Sequence, residues 1–318
     1  MADWRVLIGS KSFGKMFPEH LDSLRQAGCE VVPNQVGRPY RAAELAQALR
    51  GVEAIVTGTD ELTAEVIAAA DRLKTIAKHG VGLDNIDLPA ARSRGILVSA
   101  TFGAVHDSVA DLAMALLLAV ARGIVPAHVG TAAGKWKGFM GMELRGKVLG
   151  IVGLGSIGKE VSLRAACFGM KVIAHDPRPD QAFAAAHGIR FVPLAELLSQ
   201  SDAVSLHAGL EQAGRPLLGP AEIACLKKGA ILVNTGRGHL VDEAALARAL
   251  AEGRLAGAGL DVFQREPPEG SPLLALENVV LAPHMAGDTR DARRRMGEIT
   301  VENVVRVKRG EPPLCPVE

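Results

Sequence analysis

Apolar runs and amphipathic stretches alternate along most of the chain. In the first hundred residues the runs 5–9, 53–58, 75–78 and 96–99 are separated by stretches with helical spacing at 18–28, 41–51 and 63–71. Strand alternating with helix predicts a parallel sheet covered on both faces. Residues 108–122 follow as a long Ala/Leu segment that is apolar on more than one side. That pattern predicts a helix buried on both sides. It is expected to cross between domains and to help bury a dimer interface.

A second series of apolar runs begins at Lys147 and continues through 171–176, 203–207, 230–235, 255–262 and 278–282. Between them, 242–253 opens on acid and closes on Gly, as helix ends require. A final helical stretch, 289–308, lies beyond this series and is assigned, with the tail, to the first domain. The expected organisation is therefore a first domain of 1–100 and 289–318, with 101–288 inserted into it.

Within the second series, 147–176 reads KVLGIVGLGSIGKEVSLRAACFGMKVIAHD. An apolar strand breaks into Gly153, Gly155 and Gly158, a helix follows, and a second strand ends in Asp176. This context separates a dinucleotide fingerprint from a chance GxGxxG. The first Gly allows the tight turn, the second admits a pyrophosphate, and the third lets the helix sit close on the strand. Asp176, 23 positions after Gly153, is placed to bind both ribose hydroxyls and to repel a 2′-phosphate, which favours NAD over NADP.

Composition narrows the function classes. A chain of 318 residues is long enough for two domains, and 48% hydrophobic with 22% charged residues describes a globular protein. The net charge of +1, without long runs of one sign, argues against nucleic acid or a membrane surface as partner. The longest apolar segment, 112–121, is too short to span a bilayer, and Asp3-Trp4 leads directly into a strand without a basic leader. The expected setting is the cytoplasm. Cys29, Cys167, Cys225 and Cys315 stand far apart and form no metal-ligand spacing, so no metal is expected. They are read as reduced, with Cys167 and Cys225 in the core.

Three chemically capable residues follow apolar runs of the second series: Arg237, Glu266 and His284. Ligands collect beyond the carboxyl ends of parallel strands, so the three can converge on one crevice. An Arg fork holds a carboxylate in two hydrogen bonds and polarises a neighbouring carbonyl. A His can give a proton to a carbonyl oxygen or take one from an alcohol, and a carboxylate on its other nitrogen fixes the tautomer. Singly, each has a structural reading: Arg237 as an ion pair with Asp242 or Glu243, Glu266 as loop punctuation before two prolines, His284 as a buried, satisfied ring. As a set behind a dinucleotide fingerprint they point to redox chemistry on a small acid.

The stretches GLDNIDL (82–88), SVADLAMALLLAVAR (108–122), ELRGKVLGIVGLGSIG (143–158), LVNTGRGHLVDEAAL (232–246), AGLDVFQREP (258–267) and VVLAPHMAG (279–287) carry a resemblance. In content and order they resemble the D-isomer-specific 2-hydroxyacid dehydrogenases, nearest to the D-3-phosphoglycerate dehydrogenases. The fold class implied is α/β, a Rossmann doubly wound parallel sheet inserted into a flavodoxin-like substrate domain. The resemblance implies that Arg237 binds the substrate carboxylate and carbonyl, that His284 carries the proton and that Glu266 is its partner. It also implies that Ser156 and Ile157 hold the pyrophosphate and Asp261 the nicotinamide carboxamide. Ala208, Thr235, Gly236, His284 and Gly287 complete the expected NAD site. The segment Lys78, His79, Gly80, Val81 and Gly82 would supply amides to the substrate carboxylate. A two-fold dimer through the 108–122 region is implied as well.

The departures from the family concern the substrate. Lys78-His79-Gly80 stands where Arg-Ala-Gly is usual, with Val81 where Thr is common. Phe102-Gly103-Ala104-Val105-His106 replaces a Pro followed shortly by Asn, and His207-Ala208-Gly209 replaces His-x-Pro. Lys78, His79 and His106 can be read as a receptor for a second anionic group, or as solvated loop residues. The expected activity is NAD-dependent hydride transfer at C2 of a small D-2-hydroxy or 2-oxo acid, with 3-phosphoglycerate or another bianionic acid among the candidates. A glyoxylate or hydroxypyruvate reductase is the close alternative, and an NAD-sensing, corepressor-like protein the alternative from another class. The chain stops at Glu318, and serine feedback through an appended regulatory domain is not expected.

Overall fold

The computed structural model describes residues 4–209 and 215–317, so Asp3, invoked above, lies outside the described residues. The chain divides into two compact units, Met1–Val105 with Thr289–Glu318, and His106–Asp288.

The first unit holds β1 (Arg5–Ile8), α1 (Glu19–Gln26), β2 (Glu30–Val32), α2 (Ala42–Ala48) and β3 (Ala54–Thr57). It continues through α3 (Ala64–Ala69), β4 (Thr75–Lys78), α4 (Leu88–Ser93) and β5 (Leu97–Ser99). Its parallel sheet has the order β2-β1-β3-β4-β5, the flavodoxin-type order. Alternation along β1 divides the core: Leu7 joins one apolar layer with Leu45, Ile55 and Ile76, while Val6 and Ile8 join the other with Leu24 and Val56. The unpredicted strand β2 is a partly exposed edge of three residues, without an apolar run to announce it.

The second unit begins with α5 (His106–Arg122), α6 (Ile124–Ala132), β6 (Val148–Val152), α7 (Ser156–Cys167) and β7 (Lys171–His175). Next come α8 (Gln181–Ala186), β8 (Arg190–Phe191), α9 (Leu194–Gln200), β9 (Ala203–Leu206) and α10 (Pro220–Cys225). It ends with β10 (Ile231–Asn234), α11 (Glu243–Ala251), β11 (Gly257–Leu260) and β12 (Val279–Leu281). The sheet order is β12-β11-β10-β9-β6-β7-β8, all parallel. The chain starts mid-sheet at β6, builds outward to β8, then returns beside β6 at β9. That reversal creates a switch point at the carboxyl ends of β6 and β9, where doubly wound sheets bind ligands. The last helix, α12 (Arg290–Lys308), returns to the first unit, where Val304 and Val305 enter its core.

Three expectations are corrected. The boundary falls between Val105 and His106, so α5 does not cross between domains but belongs wholly to the second unit. Its apolar faces are used there: a Cβ at Gly259 would lie 2.7 Å from Leu116 Cβ and one at Gly257 2.6 Å from Val120 Cγ1. Glycines in β11 let the helix lie against the strand. Cys167 and Cys225 are exposed at the last turns of α7 and α10, and Cys29 is the buried one.

Candidate active site

The fingerprint loop links β6 to α7. Gly153 sits at φ +90, and a Cβ there would come within 2.6 Å of the Ala208 amide. A Cβ at Gly158 would strike the Gly153 carbonyl oxygen, which is why the helix can start so close to the strand. Around Gly155 nothing lies within 4 Å of the Cβ position, and no side chain caps α7. The first N–H groups of α7, on Ser156 and Ile157, therefore face an open space suited to an anion. Asp176 is braced across this loop, one oxygen accepting Leu154 N–H at 2.8 Å and the other Arg178 N–H at 2.8 Å. Thr235 Oγ1 stands 3.4 Å from His207 Nδ1, and Ser205 Oγ 2.8 Å from Nε2. Burial lowers His207 to about 4, which keeps the ring neutral beside the expected cofactor residues Ala208 and Gly236.

Arg237 follows β10 in a turn held by Asn234. The buried Asn234 side chain accepts Gly236 N–H at 3.0 Å and donates to Arg237 O at 2.9 Å, and Arg237 Nη1 donates to Gly236 O at 2.9 Å. Asn234 was not singled out from the sequence. Its signal was available: an Asn ending an apolar strand must find partners within a few residues.

His284 follows β12 with φ +52, a left-handed conformation that costs a side-chain-bearing residue about 1 kcal/mol or more. Its Nδ1 lies 2.6 Å from Glu266 Oε2, and Glu266 Oε1 accepts Phe263 N–H at 3.1 Å. The imidazole is 54% exposed, leaving Nε2 toward solvent. Asp261, expected on the carboxamide, is 0% exposed and its two oxygens accept Met285 and Ala286 N–H at 2.8 and 2.9 Å. Burial raises its carboxyl above the ordinary value, against the pull of those two amides. Its backbone oxygen also accepts His284 N–H at 2.8 Å, so Asp261 braces the His284 turn.

The expected substrate segment lies in the first unit. Lys78 is 7% exposed, with Nζ donating to Gly58 O and to Asn85 Oδ1 at 2.7 Å. His79 is 6% exposed, its Nδ1 3.2 Å from Thr300 Oγ1 and its ring edge-on to Phe13. Burial, then the charge of Arg293, lowers it to about 3. Neither side chain is presented as a receptor for a second anion, and His106 stands in the other unit at the start of α5. There His106, Asp107 and Glu160 approach one another, but Arg164 already binds Asp107 at 3.2 Å, Asp111 at 2.7 Å and Glu160 at 2.5 Å.

A model of the D-isomer specific 2-hydroxyacid dehydrogenase NAD-binding domain matches residues 114–286. A glyoxylate reductase of Korarchaeum cryptofilum is 46% identical over 262 residues, covering 80% of this chain and 79% of that protein. The chain belongs to the D-isomer specific 2-hydroxyacid dehydrogenase family. A D-3-phosphoglycerate dehydrogenase of Methanocaldococcus jannaschii is 41% identical over 299 residues, 92% of this chain but 57% of that longer protein. Among solved structures, the TT0316 protein of Thermus thermophilus is 42% identical with a TM-score of 0.89, covering 99% and 100% of the two chains.

As a family member the protein is an NAD-dependent oxidoreductase. The glycine loop fits that cofactor: Gly155 leaves the space a phosphate needs, and the Asp176 carboxylate is held beside the loop by Leu154 N–H. Among the described residues no single helix is long and apolar enough to cross a membrane. The apolar pair α5 and α6 is bent by 63° between them, at Gly123, whose φ is +58.

Proposed function

We propose that this dehydrogenase reduces a small monoanionic 2-oxo acid of the glyoxylate or hydroxypyruvate class to the D-2-hydroxy acid, and catalyses the reverse reaction. Bound NADH supplies the hydride. Arg237 holds the substrate carboxylate and polarises the C2 carbonyl, since its fork matches a carboxylate and its charge stabilises the developing alkoxide. His284 gives the carbonyl oxygen a proton from Nε2, and in the oxidation takes it back. Glu266 accepts a hydrogen bond from Nδ1–H, which fixes the tautomer and the ring orientation. The amides of Val81 and Gly82 are assigned to the substrate carboxylate, and Thr235, Gly236 and Gly287 to the cofactor by backbone contact.

The observation that carries the substrate class is the state of Lys78 and His79. A second phosphate, sulfonate or carboxylate would need cations presented outward; Lys78 is engaged inward and His79 is buried and neutral. The glyoxylate reductase likeness agrees with this preference.

The partner proposed is a second copy of the chain. With α5 buried in its own unit, the apolar surface left over lies on α6 and the segment after it. Ile124, Val125, Val129 and Phe139 are exposed, Trp136 is 93% exposed and Met140 95%. An apolar patch of this kind marks a protein contact. Four unpaired cysteines suit a cytoplasmic setting.

NADH oxidation at 340 nm is measured against glyoxylate, pyruvate, hydroxypyruvate, oxaloacetate, phosphohydroxypyruvate and sulfopyruvate. The reading expects glyoxylate or hydroxypyruvate to give the highest kcat/KM. A clear preference for a phosphorylated or sulfonated acid overturns the substrate class. Bound NADH without turnover of any acid overturns the enzymatic reading in favour of an NAD-responsive regulatory protein.

A further inference from the structure

A loop that presents bare amides to a ligand cannot spend those amides on its own shape, so other groups must hold it. The segment after β4 has this requirement. Gly80 is at φ +155, and the N–H groups of Val81, Gly82 and Leu83 find no protein acceptor among the described residues. At its near end, Thr101 N–H and Oγ1–H both donate to Gly80 O, at 3.0 and 3.1 Å. At its far end, Asn85 Nδ2 donates to Asp60 O at 2.6 Å and Gly58 O at 3.3 Å, while Asn85 O accepts Leu62 N–H at 3.0 Å.

Lys78 ties the two ends together. Its stem runs beneath Gly80, with Cε 3.3 Å from where a Cβ would stand. Its ammonium then donates to Gly58 O, at the end of β3, and to Asn85 Oδ1. The residues below are fixed in turn: the fully buried Asp60 accepts Tyr40 N–H, Thr57 Oγ1–H and Gly58 N–H at 2.9, 2.9 and 3.0 Å.

We propose that Lys78 is a positioning residue for the oxo-acid site: by clamping Asn85 to Gly58 it holds the Val81 and Gly82 amides in place for a carboxylate, without contacting the substrate's anionic groups. This rests on the reading that these amides receive the substrate carboxylate. A compact ammonium with three donors suits the task, whereas a guanidinium is wider and planar, so arginine replaces it incompletely. Methionine keeps the unbranched stem and loses every donor.

The test compares full-length K78M, K78R and N85A with the unaltered chain. Kinetics with several oxo acids, NADH binding, and amide hydrogen exchange over residues 79–86 are measured. In K78M the KM is expected to rise about tenfold or more, as the loss of buried hydrogen bonds implies, by the same factor for glyoxylate, hydroxypyruvate and phosphohydroxypyruvate. NADH affinity should hold, exchange over 79–86 should accelerate, K78R should restore part of the loss, and N85A should reproduce it. A loss concentrated on phosphohydroxypyruvate overturns the proposal, because Lys78 would then reach the substrate. Unchanged KM and exchange in folded K78M also overturn it. Should K78M not fold, N85A and K78R carry the same comparison. If the unaltered chain turns over none of the acids, the functional reading fails separately; faster exchange in the variants still supports the clamp, and unchanged exchange overturns it.

Discussion

Glu266 Oε2 lies 2.6 Å from His284 Nδ1, joining a carboxylate after β11 to an imidazole after β12, on neighbouring parallel strands. The pair leaves Nε2 as the atom that can exchange a proton with a ligand. Removing the ring in His284→Ala should lower kcat by about two to four orders of magnitude, the usual worth of a positioned acid–base group. NADH affinity, read by fluorescence titration, should stay nearly the same. Glu266→Gln keeps an acceptor for Nδ1–H but loses the charge that stabilises the ring during proton transfer, so kcat should fall by about tenfold or more while NADH affinity holds. An unchanged kcat in Glu266→Gln would remove the role given to the carboxylate.

Arg237→Lys retains a positive charge and loses the fork. Oxo-acid KM should rise by about tenfold or more while NADH binding is unaffected. An unchanged KM would mean that Arg237 does not hold the carboxylate.

Asp176 accepts two backbone amides at the glycine loop, and we propose it as the residue that meets the adenosine ribose. Asp176→Ala should raise kcat/KM for NADPH relative to NADH, by about tenfold or more, because the repulsion toward a 2′-phosphate is gone. Strict NADH preference in this variant would assign discrimination to another residue.

His79 gives the first unit a pH-dependent stability. Its folded-state value, about 3, lies below the ordinary 6.5, so the unfolded chain takes up a proton first as pH falls. The stability present above pH 6.5 is therefore lost as the pH drops toward 3, with a limiting slope of about 1.4 kcal/mol per pH unit from this one group. His20 is lowered in the same direction by burial and adds to the slope. His79→Gln, followed by urea midpoints between pH 7 and pH 4, should show a shallower decline than the unaltered chain. Parallel declines would show that His79 is not the titrating group.

Much of this protein was legible in local pattern. The run 147–176 announced strand, glycine turn, helix and strand, and β6, α7 and β7 form there because alternation and helical spacing are properties of residues within a few positions of each other. Arg237, Glu266 and His284 could be placed at strand ends for the same reason, and the direction of parallel strands supplied the expectation that they meet. For Glu266 and His284 the structure gives the distance. What a polar side chain faces is a different matter, because it depends on neighbours far away along the chain. Lys78 turns inward because Gly58, 20 positions earlier, offers a carbonyl, and His79 is neutral because Thr300, 221 positions away, and Phe13 enclose it. Asp261 is enclosed because the turn after β12, more than twenty positions later, folds onto its carboxylate. Likewise α5 was recognisable as a doubly buried helix, but which unit buries it was decided by two glycines in a strand more than a hundred residues later. Periodicity records which face of an element avoids water; only packing decides what that face meets.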